Sequence, residues 1–198
     1  MSDIKDSREY LRPYLADMAA VEKHILEAVE RQSNDDGFKK LPQVLQLVNR
    51  IESTLRGHVQ TLESQLERFP GGGVAGAVKG TVTGVLGVFA GLYDKVRTET
   101  ASRGLRDDYT ALNLATVSYV MLHTSALALG EAATAELALK NLKDLTPLVM
   151  QLNEIIPEAV VRELAEQGKA FDASIVQRAV HSTQEAWSAT AATAAAHV

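Results

Sequence analysis

Apolar residues recur every three or four positions in the first third of the chain, which is the spacing of a helix with one face in a core. Two such stretches predict helix A over residues 7–32 and helix B over residues 39–68. A turn sequence at 33–37 joins them, so they should be antiparallel neighbours. Glu22 in helix A and His58 in helix B stand at positions where the apolar pattern requires a core residue. We therefore expect both ionisable side chains to be buried.

The second half of the chain predicts helix C over residues 107–129 and helix D over residues 131–156. Helix C is apolar around most of its circumference, so we expect it to be deeply buried. It starts with two aspartates, which the positive end of the helix dipole favours. Pro157 indicates that helix D ends or bends there. Residues 157–198 then form an extension with a fifth helix and a low-complexity tail.

A glycine-rich segment, residues 70–93, lies between helices B and C, with Lys79 as its only charged residue. We expect a crossover that packs flat against the helices or against another subunit, because small residues let two backbones approach closely. Contact with a membrane through residues 72–93 is the alternative. A nucleotide-binding loop is excluded, since no strand precedes the glycines and no Gly-Lys-Ser/Thr ending follows them.

The composition of the 198 residues fits one helical domain, residues 1–156, with an extension. Hydrophobic residues make up 46% and aromatic residues 5%, while alanine and leucine are abundant, which favours helices over sheets. The net charge of −5 comes without a basic stripe, so we expect no nucleic-acid partner. The absence of cysteine excludes disulfides and thiolate metal sites. The first ten residues are polar and lack a secretory signal, which predicts a cytoplasmic protein.

Two runs of sequence resemble a known family. Residues 17–26 are similar to the first helix of the YciE/YciF-type bacterial stress proteins, and residues 57–63 are similar to their second helix. The likeness extends over residues 10–69 and 105–156. It implies an all-α fold, namely an antiparallel ferritin-like four-helix bundle with a glycine-rich B–C crossover and an extra C-terminal helix.

The same resemblance identifies candidate metal ligands. Ferritin-like di-iron sites need about four carboxylates and two histidines at the bundle centre. Glu22 matches the family's first-helix glutamate, His58 matches its second-helix histidine, and Asp144 lies near the acidic ligand region of helix D. The aligned residues of helix C are not ligands, although Tyr119 and His123 share a face of that helix and could join the site. The resemblance therefore implies a dinuclear site that is lost or reduced.

Three functions follow from these residues. We favour a ferritin-like, stress-associated structural or interaction protein over an enzyme, forming a homodimer or larger homo-oligomer and holding no resident cofactor. Glu22 and His58 would then be a buried pair that fixes the helix register. The first alternative is a metal-binding protein of iron or peroxide handling, with one iron or manganese ion at this pair and with Tyr119, His123 or Asp144 as a supplementary ligand. The second alternative is a membrane-associated protein that uses the glycine-rich segment.

Overall fold

The structure is a computed structural model that describes residues 3–69, 100–170, 172 and 174–195. Within these ranges every element of secondary structure is a helix, which confirms the predicted all-α class. The predicted glycine-rich crossover, residues 70–93, lies outside the described residues. The helices are α1 (Asp3–Asn34), α2 (Asp36–Lys39), α3 (Pro42–Glu67), α4 (Ala101–Ala128), α5 (Ala132–Glu166) and α6 (Ser174–Ala195).

Ion pairs between α1 and α3 fix the relative direction of these two helices. Lys23 pairs with Glu63, and Glu30, which comes later in α1, pairs with Arg56, which comes earlier in α3. Residue numbers thus rise along one helix as they fall along the other. The two helices are antiparallel, as the short connection between them predicted.

Among α1, α3, α4 and α5 each helix packs against two of the others, because α1 and α5 both pack against α3 and against α4, while α6 packs against α5. The α3 and α5 helices are antiparallel, since Arg50 contacts Gln151 whereas Gln65 contacts Thr134. The α4 and α5 helices are antiparallel by the same rule, as the contacts Ser102–Glu163 and His123–Ala135 indicate. The α1 and α4 helices are also antiparallel, as the contacts Gln32–Asp108 and Glu22–Tyr119 indicate. It follows that α3 and α4, which are both antiparallel to α1, are parallel to each other.

Aliphatic side chains fill the space between these four helices. Burying one leucine, isoleucine or valine side chain contributes about 1.5–3 kcal/mol, so this core supplies most of the driving force for packing. Leucines and isoleucines from all four helices have no solvent exposure, among them Leu15, Ile25, Ile51, Leu55, Leu112, Leu122, Leu145 and Leu152.

Local capping explains the corner between α1 and α3. The carboxylate of Asp35 accepts hydrogen bonds from the backbone N–H groups of Gly37 and Phe38, at 2.7 and 3.4 Å, and so begins the short helix α2. This turn buries the ring of Phe38. Pro42 then starts α3, where a missing N–H costs no hydrogen bond.

The predicted start of helix C is wrong, because α4 begins at Ala101 rather than at residue 107. Asp107 and Asp108 are buried in the second turn of α4 instead of lying at its N-terminus. The carboxylate that serves the N-terminus comes from α5: Glu163 accepts hydrogen bonds from the N–H of Ser102 at 2.7 Å and from its hydroxyl at 2.6 Å.

The predicted end of helix D before Pro157 is also wrong. The α5 helix continues through this proline and through Pro147 to Glu166. Proline removes a backbone hydrogen bond and normally interrupts a helix. Here tertiary packing overrides that tendency, because Leu152 before Pro157 and Ala159 after it are both fully buried.

Helix α4 is not deeply buried all round, contrary to the prediction. Tyr119 and Leu122 have no solvent exposure, whereas Val117 and Met121 are 58% and 53% exposed. The helix is apolar on both faces, and only one of them contacts α1 and α5. Apolar composition alone therefore misled the prediction.

We expect Gly104→Ala to destabilise the protein. The added Cβ would lie 2.7 Å from Cζ of Phe38 and 3.3 Å from Nε2 of Gln32, both of which are buried. Overpacking of this kind lowers the free energy of unfolding by roughly 1–3 kcal/mol, which urea denaturation measures.

Gly57→Ala is the matched control for that substitution. Its Cβ would meet nothing within 4 Å on the exposed side of α3. Alanine should therefore raise the free energy of unfolding by roughly 0.5–1 kcal/mol through helix propensity alone. Equal stabilisation by both substitutions would contradict the close packing at Gly104.

Candidate functional site

Glu22 and His58 meet in the core between α1 and α3. The Nδ1 atom of His58 lies 3.1 Å from Oε1 of Glu22, and the two side chains are 3% and 0% exposed. Both residues lie within the apolar, core-facing stripes of their helices. Their side chains therefore point into the same buried space between α1 and α3. The structure thus brings together the two residues that the hydrophobic pattern singled out.

The other side of the imidazole ring faces α5. Nε2 of His58 lies 3.2 Å from Oδ2 of Asp144, and the same oxygen accepts a hydrogen bond of 2.6 Å from the ammonium group of Lys140. The side chains of Asp144 and Lys140 are 39% and 67% exposed. A continuous row of four ionisable groups therefore runs from the core to the surface in the order Glu22, His58, Asp144, Lys140.

Two hydrogen bonds to one imidazole ring require two protons. With Asp144 ionised, Nε2 of His58 must carry one proton and donate it. The second proton lies between Nδ1 and Glu22, so the pair is either imidazolium with carboxylate or neutral imidazole with carboxylic acid. In both forms the buried pair has no net charge, which removes most of the cost of placing ionisable groups in a core.

Tyr119 of α4 closes the site from a third side. Its ring contacts His58 edge to face, with centroids 6.2 Å apart and planes at 86°. Its hydroxyl oxygen accepts a hydrogen bond of 2.9 Å from the amide of Asn141, and both residues are buried. The second oxygen of Glu22, Oε2, is buried without a hydrogen bond of normal geometry, although the Tyr119 hydroxyl lies close enough to influence this carboxylate.

Burial dominates the electrostatics of the inner groups. It raises the pKa of Glu22 above its ordinary value of 4.5, while the hydrogen bond and charge of His58 and the nearby hydroxyl of Tyr119 oppose this shift. Burial, followed by the charge of Glu22, raises the pKa of Tyr119 well above 10.0. This phenol is therefore a neutral hydrogen-bonding group at any physiological pH.

The outer carboxylate behaves in the opposite way. Burial acts to raise the pKa of Asp144, but the hydrogen bonds and charges of Lys140 and His58 together outweigh burial, and its pKa falls below 3.8. Asp144 is therefore ionised at neutral pH. Its charge holds the proton of His58 on Nε2.

His123, the remaining candidate ligand, lies apart from this cluster. Its Nδ1 atom is 2.8 Å from the carbonyl oxygen of Ala135, in the contact between α4 and α5. It shares a helix face with Tyr119, as the spacing predicted, but it lies one turn further along α4. The described hydrogen bond of His123 is thus to the backbone of α5 and not to a member of the cluster around His58.

The cluster is held together by hydrogen bonds between its own side chains. In the described part of the chain, no group of three or more histidine and carboxylate side chains converges on one point. Glu22 and Asp144 contact opposite nitrogens of a single ring, so each nitrogen is already engaged. Coordination by His58 would require one of these hydrogen bonds to break.

Two members of the site were missed in the sequence. Asn141 falls within the buried stripe of α5, between Ala138 and Leu145, so the rule that identified Glu22 would also have found it. Lys140 lies four residues before Asp144, a spacing that places the two side chains on one helix face. Both could therefore have been named from the pattern.

No protein-family model, curated protein or solved structure matches the chain. The resemblance to the YciE/YciF-type proteins stays a prediction.

The raised pKa of Glu22 predicts how stability changes with pH. Below pH 4.5 this group is protonated in both the folded and the unfolded chain. As the pH rises, Glu22 ionises first in the unfolded chain, so the contribution of Glu22 to the free energy of unfolding declines until the folded group ionises too. The decline amounts to about 1.4 kcal/mol for each unit of pKa separation.

Glu22→Gln isolates this effect, because glutamine keeps the shape of the side chain and does not ionise. The stability of the wild type relative to this variant should fall from pH 4.5 towards neutrality, as urea denaturation at a series of pH values measures. Asp144 acts in a separate window, since its lowered pKa affects stability only as the pH falls below 3.8. A difference that stays constant from pH 4.5 to neutral pH would contradict the assigned burial effect.

Proposed function

We propose that this chain is a ferritin-like, stress-associated structural or interaction protein whose metal site is lost or reduced. The observation that supports this most strongly is the engagement of both nitrogens of His58 by carboxylates. A ring held in this way completes a hydrogen-bonded core contact, and a metal could bind it only by replacing one of these two hydrogen bonds. The association with stress comes from the resemblance to the YciE/YciF-type proteins alone.

The proposed architecture is an antiparallel ferritin-like four-helix bundle of α1, α3, α4 and α5. Its support is the set of neighbour contacts, in which each of these helices packs against two others and every packed pair is antiparallel. Such an arrangement makes α3 and α4 parallel, and a bundle of this kind needs a long connection between those two helices.

Within this proposal the buried row of ionisable groups fixes the register of the helices. Sliding α1 by one turn along α3 would move Glu22 about 5.4 Å away from His58 and leave its carboxylate unpaired in the core. Misaligned packings are therefore penalised more strongly than they would be among leucines alone. We infer a protein that acts through its shape and surface, in the cytoplasm, as a homodimer or larger homo-oligomer.

Paired leucine substitutions test the structural role. His58→Leu alone leaves a buried carboxylate uncompensated and should lower the free energy of unfolding by roughly 3–5 kcal/mol. Adding Glu22→Leu removes that carboxylate, so the double variant should recover most of the loss and keep its helical circular dichroism. Asp144→Asn, at the exposed end of the row, should cost less than about 1 kcal/mol.

A double variant less stable than His58→Leu would overturn this role. It would mean that Glu22 contributes more to the fold than its pairing with His58 explains.

The second candidate function is metal binding, and one observation favours it: Oε2 of Glu22 is a buried acceptor without a normal hydrogen bond. Iron or manganese bound there would take Glu22 and His58 as ligands, with Asp144 and Tyr119 nearby. The third candidate, membrane association through residues 72–93, concerns residues outside the described ranges and stays a prediction.

Metal analysis of protein purified without chelators separates the first two candidates. Under the structural proposal, iron and manganese measured by plasma mass spectrometry stay well below one atom per chain and do not change in Glu22→Gln. Stoichiometric metal that is lost in Glu22→Gln would replace the structural proposal with the metal-binding one.

A further inference from the structure

Helix α4 carries an apolar surface that points away from the core. We call it the α4 face, and its members are 36–60% exposed: Leu114, Val117, Val120, Met121 and Leu127. No aspartate, glutamate, lysine or arginine occurs between Tyr109 and Gly130. Exposed apolar patches of this kind mark interaction sites on soluble proteins.

The members of the α4 face follow helical spacing. The steps from Leu114 to Val117 and Met121 are three and four residues. The steps from Val117 to Val120 and Leu127 are three and seven residues, so all five side chains lie on one side of the helix. The face extends about 20 Å along the helix at 1.5 Å per residue. It lies opposite the buried side that carries Tyr119 and Leu122. One helix therefore presents two apolar surfaces, of which the described residues cover one.

Two hydroxyl groups on or beside the α4 face donate hydrogen bonds within the helix. The hydroxyl of Ser118 donates to the carbonyl of Leu114 at 2.8 Å, and that of Thr124 donates to the carbonyl of Val120 at 2.8 Å. Both hydroxyl donors would therefore keep their acceptors if another apolar surface covered this face.

Lipid is a poor occupant of this face. Among the described helices, α4 alone is long and apolar enough to cross a membrane, and a third of its most apolar window is buried in the protein. Its neighbour α5 carries Lys140, which is 67% exposed and adjacent to the Asn141 that contacts Tyr119. Crossing a membrane would bury this ammonium group. Lying on one would call for basic residues along the apolar face, whereas the two exposed arginines of α4, Arg103 and Arg106, both precede the uncharged stretch that carries this face.

We propose that the α4 face is the interface of a homodimer, in which two copies of α4 pack antiparallel across a two-fold axis. This names the partner in the interaction function proposed above and rests on that function. Two copies with a net charge of −5 repel each other, and the uncharged α4 face lets them approach without opposing charges in contact. Identical apolar faces complement each other across a two-fold axis.

The antiparallel direction follows from the ends of the helix. Arg103 and Arg106 are exposed in the first turns of α4, where the helix dipole is positive. In the antiparallel arrangement these ends lie beside the negative C-terminal end of the other copy. Met121 lies near the middle of the α4 face, so it meets its own counterpart close to the two-fold axis.

Single-cysteine cross-linking tests this geometry directly, because the full chain contains no cysteine of its own. Met121→Cys should form a disulfide-linked dimer under mild oxidation, since residues near the axis come within the roughly 7 Å between Cα atoms that a disulfide allows. Met150→Cys is the matched control: it is on α5, it is 49% exposed against 53% for Met121, and it should stay monomeric on a non-reducing gel.

Charge substitution at the same site gives a second measurement. In sedimentation velocity the wild type should be a dimer, while Met121→Lys and Met121→Glu should each be monomeric, because every copy would place a like charge at the axis. Mixing the two variants should restore the dimer, and Met150→Lys should not affect it. Circular dichroism verifies that each variant is folded.

A wild-type chain that sediments as a monomer at all concentrations would overturn the proposal, and loss of stability in Met121→Lys would then indicate that residues 70–99 of the same chain cover the α4 face. A dimer that persists in Met121→Lys would overturn it as well, because the interface would lie elsewhere. Neither result depends on Glu22 or His58, so this inference and the proposed role of the buried pair fail separately.

Discussion

A carboxylate placed in an aliphatic core must be neutralised, and the rest of this structure is arranged around that requirement. Glu22 has no solvent exposure, and the nearest compensating group on another helix is His58. An uncompensated buried carboxylate would cost several kcal/mol, which is a large share of the stability of an ordinary domain. The contact at 3.1 Å therefore ties α1 to α3 more specifically than the leucines around it can.

The consequences of this contact reach the other two long helices. His58 is oriented by Asp144 of α5, whose charge is balanced by Lys140 in solvent. Tyr119 of α4 packs against the same ring and is itself held by Asn141 of α5. The imidazole ring on α3 thus receives contacts from the three other helices, so its position depends on the correct alignment of all four. The arrangement suits a role in fixing the register of the helices at least as well as a role in metal binding.

The sequence predicted the centre of this site for a simple physical reason. A polar residue inside an apolar stripe must find a partner in the core, and Glu22 and His58 were the clearest interruptions in their helices. Asp144 was placed beside its stripe, which agrees with a side chain that reaches His58 while remaining 39% exposed. His123 was placed on the correct face of α4 but apart from His58, because helical spacing indicates which face a residue occupies and not which part of the neighbouring helix it meets.

Other errors came from forces that act between distant parts of the chain. Proline statistics describe isolated helices, whereas α5 is held on both sides of Pro157 by packing against its neighbours. The N-terminus of α4 is capped by Glu163, which lies 61 residues after Ser102 in the chain. The exposed side of α4 could not be separated from its buried side, because both are apolar and uncharged. Local patterns carry none of this information.

The protonation of the His58 ring tests the central claim most directly. Proton–nitrogen correlation spectra of the histidine rings, with His58 assigned among the five histidines by its loss in His58→Gln, would report it. The structure predicts a proton on Nε2 that exchanges slowly with water, with nitrogen shifts that change in Glu22→Gln. A His58 ring whose protons exchange as fast as those of free histidine, and whose shifts ignore Glu22, would contradict the account.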